Sequence, residues 1–166
     1  MGAPVGASCH EEVILPFKKT ETYDGRSKAD FMALRERVGL KQTDVASLLD
    51  VNLSTVKRWE KIGYMEPPAD AWGLLDGYMA LQCEAVSVAL AQVAQIVEDQ
   101  GAEPREVVMT YFRTQKEYDE HGRDEGLFGP VNAKTRAVGA ALEDRGIKVS
   151  YRYPGDGAIS TKDSRY

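Results

Sequence analysis

Phe31 to Trp59 constrains this chain more than any other stretch: FMALRERVGLKQTDVASLLDVNLSTVKRW. Val45, Ala46, Leu48 and Leu49 recur at helical spacing, Thr43 is placed to cap that helix, and Asp44 and Ser47 fall on its wet side. A second short helix opens at Asn52 or Ser54 and buries Val56 and Trp59, which leaves Leu53, Ser54, Thr55, Lys57 and Arg58 outward. Asp50 lies between the two, and Asp tolerates the positive φ of a tight turn better than most residues. Ala46 stands where the helices cross, where only a small side chain lets two backbones approach at the steep angle of such a corner. Ser27 with Asp30 forms a capping arrangement for an earlier helix whose apolar positions are Phe31, Leu34 and Val38, ended at Gly39.

From Gln42 to Trp59 this pattern resembles the helix-turn-helix of the lambda-repressor-like (Cro/cI, XRE) family of bacterial and phage transcriptional regulators, with Asp50 where that family usually has Gly. The resemblance implies a double-stranded DNA operator as partner. It also implies roles position by position. Gln42 and Thr43 touch phosphate or brace the second helix, while Asn52, Leu53, Ser54, Thr55 and Arg58 face the major groove. Arg58 is the candidate for bidentate guanine contact, and Lys57 and Lys61 grip the phosphate backbone.

A net charge of −5 looks unfavourable for nucleic acid until its distribution is considered. Residues 28–62 hold seven Lys/Arg against five Asp/Glu, while residues 1–27 carry −1 and residues 63–166 carry −6. An acidic remainder repels DNA everywhere except at the cationic segment and so orients the approach.

Four parts follow one another. Residues 1–27 read as an N-terminal arm around one apolar stretch, Val13 to Phe17, and residues 28–72 as the helix-turn-helix domain. After Pro67-Pro68, residues 69–99 read as a helix interrupted near Gly73 or Gly77, with Leu75, Met79, Val86, Leu90 and Val93 on one broad apolar face. Such a face exceeds what one small helical bundle covers, so it is expected to pack on the C-terminal part or, together with Tyr151, on a second subunit. The last part reads strand, short helix, helix, strand: Val107 to Arg113, Thr114 to Tyr118, a helix opened by Gly129-Pro130 and closed by Gly146, and Ile147 to Tyr153. Two strands joined through a helix favour a parallel pair. The expected fold is mainly α with a small α/β C-terminal part: an N-terminal helix-turn-helix bundle, a long connecting helix, and a strand-helix-strand dimerisation domain within residues 73–166.

That order, with the string Tyr111-Phe112-Arg113-Thr114-Gln115-Lys116-Glu117-Tyr118, is similar to small regulators that include the anti-CRISPR-associated repressors. This second resemblance implies a homodimer and control of its own or a neighbouring gene. A competing expectation is an antitoxin-like interaction module that represses its operon while its C-terminal part binds another protein.

No uninterrupted apolar run approaches the roughly 18 residues of a membrane span, and no signal-peptide pattern opens the chain. A cytoplasmic protein without membrane partners is expected. Cys9, Cys83, His10 and His121 lack neighbours at ligand spacing, so neither metal nor cofactor is expected. Asp119, Glu120, His121 and Asp124 cluster, but among glycines and alternating charges that read as a solvated loop, with no catalytic motif nearby. No enzymatic activity is expected.

Overall fold

The first helix starts where side chains satisfy the orphan amides of its first turn. Ser27 Oγ accepts from Asp30 N–H at 3.1 Å and Asp30 Oδ2 accepts from Ser27 N–H at 2.6 Å, the reciprocal box that opens α1, Lys28–Arg37. At α2, Gln42–Leu48, the expected cap by Thr43 is replaced: Asp44 reaches back to Lys41 N–H at 2.8 Å, and Thr43 stands exposed inside the helix. The computed structural model describes residues 25–156, and after these two helices come α3 (Leu53–Trp59), α4 (Ala69–Gln100), β1 (Glu106–Thr110), α5 (Gln115–His121), α6 (Phe128–Glu143) and β2 (Lys148–Arg152). The Val13 to Phe17 stretch, Cys9 and His10 lie outside the described residues. The fold is mainly helical with one small two-stranded sheet.

Two apolar cores share one wall. Phe31, Val38, Leu40, Val45, Val56 and Trp59 close the first core with Ala71, Trp72 and Leu75 of α4. Phe31 sits edge-on to Trp59 (6.1 Å between ring centroids) and to Trp72 (5.1 Å), which joins α1 to α3 and α4. Val93 of α4, Val138 and Leu142 of α6, and Ile147 form the second core, flanked by Val107, Met109 and Val149 of the sheet. Gly73 and Gly77 do not interrupt α4, which runs unbroken for 32 residues from Pro68 to the left-handed Gly101. Helical hydrogen bonds continue through a glycine at a cost of about 1 kcal/mol, and packing at both ends of the helix outweighs it. A window of 18 residues in α4 has mean hydropathy 1.4, long and apolar enough by composition alone to cross a membrane. A search for uninterrupted apolar runs misses it because Gln and Glu are interspersed.

β1 and β2 pair in parallel, Val107 beside Val149 and Met109 beside Tyr151, as the intervening helices predict. The string from Tyr111 to Tyr118 makes a compact corner. Thr114 caps α5, Phe112 packs edge-on to Tyr118 at 5.0 Å, and Glu117 accepts from both the Arg113 guanidinium (2.6 Å) and Arg113 N–H (2.7 Å). These bonds, the guanidinium first, hold the Glu117 carboxyl below the ordinary carboxylate range. A carboxyl lowered in the folded state stabilises above its unfolded pKa and loses that contribution as pH falls through the folded value. Glu117→Gln should therefore flatten the acid limb of thermal stability, followed by circular dichroism from neutral to acidic pH. An unchanged acid limb would refute the linkage.

The two halves meet at a glycine pair. Gly39 ends α1 with φ +79°, and a Cβ added there would lie 2.3 Å from the carbonyl oxygen of Gly129 at the start of α6. Only glycine meets both demands. Gly63 has a similar φ of +83° but open space around it. Gly63→Ala should cost about 1 to 2 kcal/mol of left-handed strain, and Gly39→Ala at least twice as much in urea denaturation; equal losses would show that the backbone contact contributes nothing.

Candidate nucleic-acid interface

α3 is anchored from beneath by two side chains that leave its other face free. Val56 is fully buried and Trp59 is 3% exposed, one turn apart on the same side. The α2–α3 corner turns on Asp50, whose φ of +50° is positive as its tolerance for that region predicts, and Val51 N–H closes it on Ala46 C=O at 2.9 Å. Ala46 is 7% exposed beneath α3, where a larger side chain would push the helices apart.

A buried ion pair ties the corner to α1. Arg35 donates through Nε to Glu60 Oε1 at 2.5 Å and through Nη1 to Leu40 C=O at 2.8 Å, and Gln42 Nε2 donates to Glu60 Oε2 at 2.6 Å. The Arg35 and Glu60 side chains are 9% and 6% exposed. Three helices thus converge on the residue that ends α3. Lys28 adds a fourth tie, donating Nζ to Trp59 C=O at 3.1 Å and to Met65 C=O. Sequence reading missed this network because Arg35, Lys28 and Glu60 look like surface charges; the signal was Arg35 on the α1 face shared with Phe31 and Val38.

The expected contact residues divide into three groups. Asn52, Ser54, Lys57, Arg58 and Lys61 are exposed together on and after α3, with Thr55 half-buried beside them. The side chains of Asn52, Ser54, Thr55, Lys57 and Arg58 form no hydrogen bond or ion pair among the described residues, and Lys61 rests its ammonium 4.7 Å above the Tyr64 ring. Gln42 takes the bracing role of the two expected for it, and Thr43 is exposed beside it on α2. Leu53 departs from expectation: it is half-buried against the first core, so its apolar side chain packs where the others project. Leu48, expected in the apolar stripe of α2, is instead 45% exposed, because α2 ends there and the chain turns before anything covers it.

Arg35 and Glu60 cancel internally, and Lys28 lies 3.4 Å from Glu66, so the exposed cations on and just after α3 are Lys57, Arg58 and Lys61. Hydrogen-bonding groups flanked by cations on one helix face are what base edges and phosphates require.

The expected subunit contacts are mostly spent within the chain. Leu75 is fully buried in the first core and Val93 is 4% exposed in the second; Met79, Val86 and Leu90 pack beside them, and Tyr151 alone is 43% exposed. α6 lies along α4 and supplies the cover, so of the two expected sources of cover the C-terminal part is the one that provides it. The large apolar side chains exposed on α4 are Leu81 and Val88. Asp119, Glu120 and His121 are exposed on α5 and Asp124 follows it; no group of metal-ligating residues occurs among the described residues.

No protein-family model matches the chain, and no curated protein sequence shows significant similarity to it.

Glu60→Ala would leave the buried Arg35 guanidinium with only the exposed Glu36 carboxylate, 3.6 Å away, as counter-charge, and should destabilise the fold by about 3 kcal/mol, measured by urea denaturation. A loss below 1 kcal/mol would mean that water reaches the pair.

Proposed function

We propose that the chain is a sequence-specific DNA-binding transcriptional regulator, a homodimeric repressor that inserts α3 into the major groove of an inverted-repeat operator. One observation carries the reading: a short helix pinned by Val56, Trp59 and the Arg35–Glu60–Gln42 network presents Asn52, Ser54, Thr55, Lys57 and Arg58 with their hydrogen-bonding capacity unspent among the described residues. The resemblance of residues 42–59 to lambda-repressor-like helix-turn-helix regulators supports the same reading, and a cytoplasmic location is proposed with it because those regulators are bacterial and phage proteins. A rigid support matters because a base contact is lost when its side chain is misplaced by about 1 Å.

In this reading Arg58 donates two hydrogen bonds to a guanine edge, while Lys57 and Lys61 meet phosphates. Leu53, half-buried, contributes packing and at most a van der Waals contact with a thymine methyl. Arg58→Ala should weaken specific binding by about 1 to 3 kcal/mol and relax preference at one base pair of each half-site. Lys57→Ala should weaken all sequences alike and lower the salt dependence of binding. Selection of bound fragments from a genomic DNA pool supplies the operator, and competition assays on it separate the two effects. An Arg58→Ala protein with unchanged affinity and preference would sink the groove assignment.

Two-fold symmetry of the protein must be mirrored in the DNA, with half-site centres about 34 to 36 Å apart. Inserting five base pairs between half-sites turns one of them to the opposite face of the duplex and should abolish the gain from the second site. Retained affinity would point to independent binding by monomers.

A further inference from the structure

The sheet is unfinished on one side. Tyr111 N–H donates to Arg152 C=O at 2.9 Å and Lys148 N–H to Arg105 C=O at 3.3 Å, so residues 105, 107, 109 and 111 turn their backbone groups toward β2. Backbone direction alternates along a strand, so Glu106, Val108 and Thr110 turn theirs the other way. No described residue meets these groups.

Beside this edge runs a groove of about 770 Å³, lined by every residue of β1 and none of β2, with Val93 of α4 and Val131 and Val138 of α6 among its apolar walls. Both inward and outward residues of β1 line it, which requires that it follow the strand's edge. The far end of the edge is already closed. The buried Asn132 carboxamide accepts from Phe112 N–H at 3.0 Å and donates to Phe112 C=O at 2.7 Å, the reciprocal pair that a neighbouring strand would supply. Asn132 completes the edge at one residue and leaves the next three open.

We infer that β1 of a second copy docks on this edge, antiparallel about a two-fold axis at Val108, so that two two-stranded sheets become one of four strands. The inference rests on the dimeric reading above and names its interface. The edge is self-complementary in this register. Val108 meets Val108 of the partner subunit, a β-branched pair, and Glu106 meets Thr110 of the partner subunit and not its own carboxylate. About six backbone hydrogen bonds form between the three open residues of each copy. The rim carries both signs, Glu106 and Asp124 with Arg123 and Lys134, which suits a copy of itself better than a strongly charged peptide of either sign. Val108, 47% exposed at the centre of the edge, carries none of the charges or prolines by which solitary edge strands avoid partners.

Val108→Pro tests this, because that amide points into the groove and its loss leaves the β1–β2 ladder intact. Val108→Lys keeps the amide and sets two ammonium groups against each other across the axis. Sedimentation at micromolar concentration should show a wild-type dimer and two monomeric variants with unchanged far-ultraviolet circular dichroism. The Val108 amide should be protected from hydrogen exchange in the wild type and exposed in Val108→Lys. Affinity for a two-half-site operator should fall on the order of 100-fold or more, with single half-site binding retained. Dimeric variants would overturn the interface while leaving the dimeric reading in place, and a monomeric wild type would overturn both. A dimer lacking selective DNA binding, but split by these variants, would support the interface and sink the regulator reading. If deleting residues 1–24 alone exposed the Val108 amide without changing the number of subunits, the chain's own N-terminal segment would be the occupant and the inference would fall.

Discussion

One helix has to fit two cores. The first two turns of α4 supply Ala71, Trp72 and Leu75 to the bundle of α1 to α3, and its second half supplies Val86 to Val97 to the sheet and α6. Since the helix is unbroken, the angular phase that buries Leu75 also dictates the phase at Val93, five turns later. The candidate reading helix and the sheet are therefore coupled in orientation through a single rigid rod. The close approach of Gly39 and Gly129 closes the same arrangement from the other side, joining the end of α1 to the start of α6 where no side chain fits between them. A second copy joined through either half would thereby fix the separation of the two α3 helices, which is what a half-site spacing requires.

Buried polar groups decide where this chain cannot be altered. Glu60 at the end of α3 receives Arg35 and Gln42, and Asn132 on α6 pairs with both backbone groups of Phe112. Each is satisfied, and each would leave a stranded charge or amide if its partner were removed. These contacts specify geometry more than they add stability, since desolvation offsets much of their gain. The Glu60 cluster holds α3 at one angle to α1 and α2, while the Asn132 pair fixes where the open sheet edge ends. The face that carries Asn52, Ser54, Lys57 and Arg58 spends nothing on the fold.

Local pattern and tertiary contact divided the work unevenly. Ser27 and Asp30, the αL position at Asp50, the anchors Val56 and Trp59 and the cap at Thr114 all follow from spacing within a few residues, and each is legible in the sequence because its physics is local; the parallel strand pair follows instead from the handedness of a crossover through helices. Period 3.6 and period 2 identify an apolar face whatever eventually covers it. What covers it is another matter. Leu75, Val86, Leu90 and Val93 look like an interface face because the sequence shows their apolarity and not the presence of α6 alongside. Arg35, Lys28 and Glu60 read as surface charge because the pairing that permits their burial joins residues 25 or more positions apart.

The sequence by itself determined which short segments are helices and strands and which side of α3 is polar, since capping, turn tolerance and periodicity act over one or two turns of chain. Only the tertiary structure decided that α4 runs through both glycines, that its broad apolar face is filled from within, that Leu53 packs while its neighbours project, and that β1 keeps an open edge beside a groove. Those outcomes depend on volume and hydrogen-bond partners contributed by distant segments. Periodicity says that a group must be buried or satisfied, and the three-dimensional arrangement alone says by what.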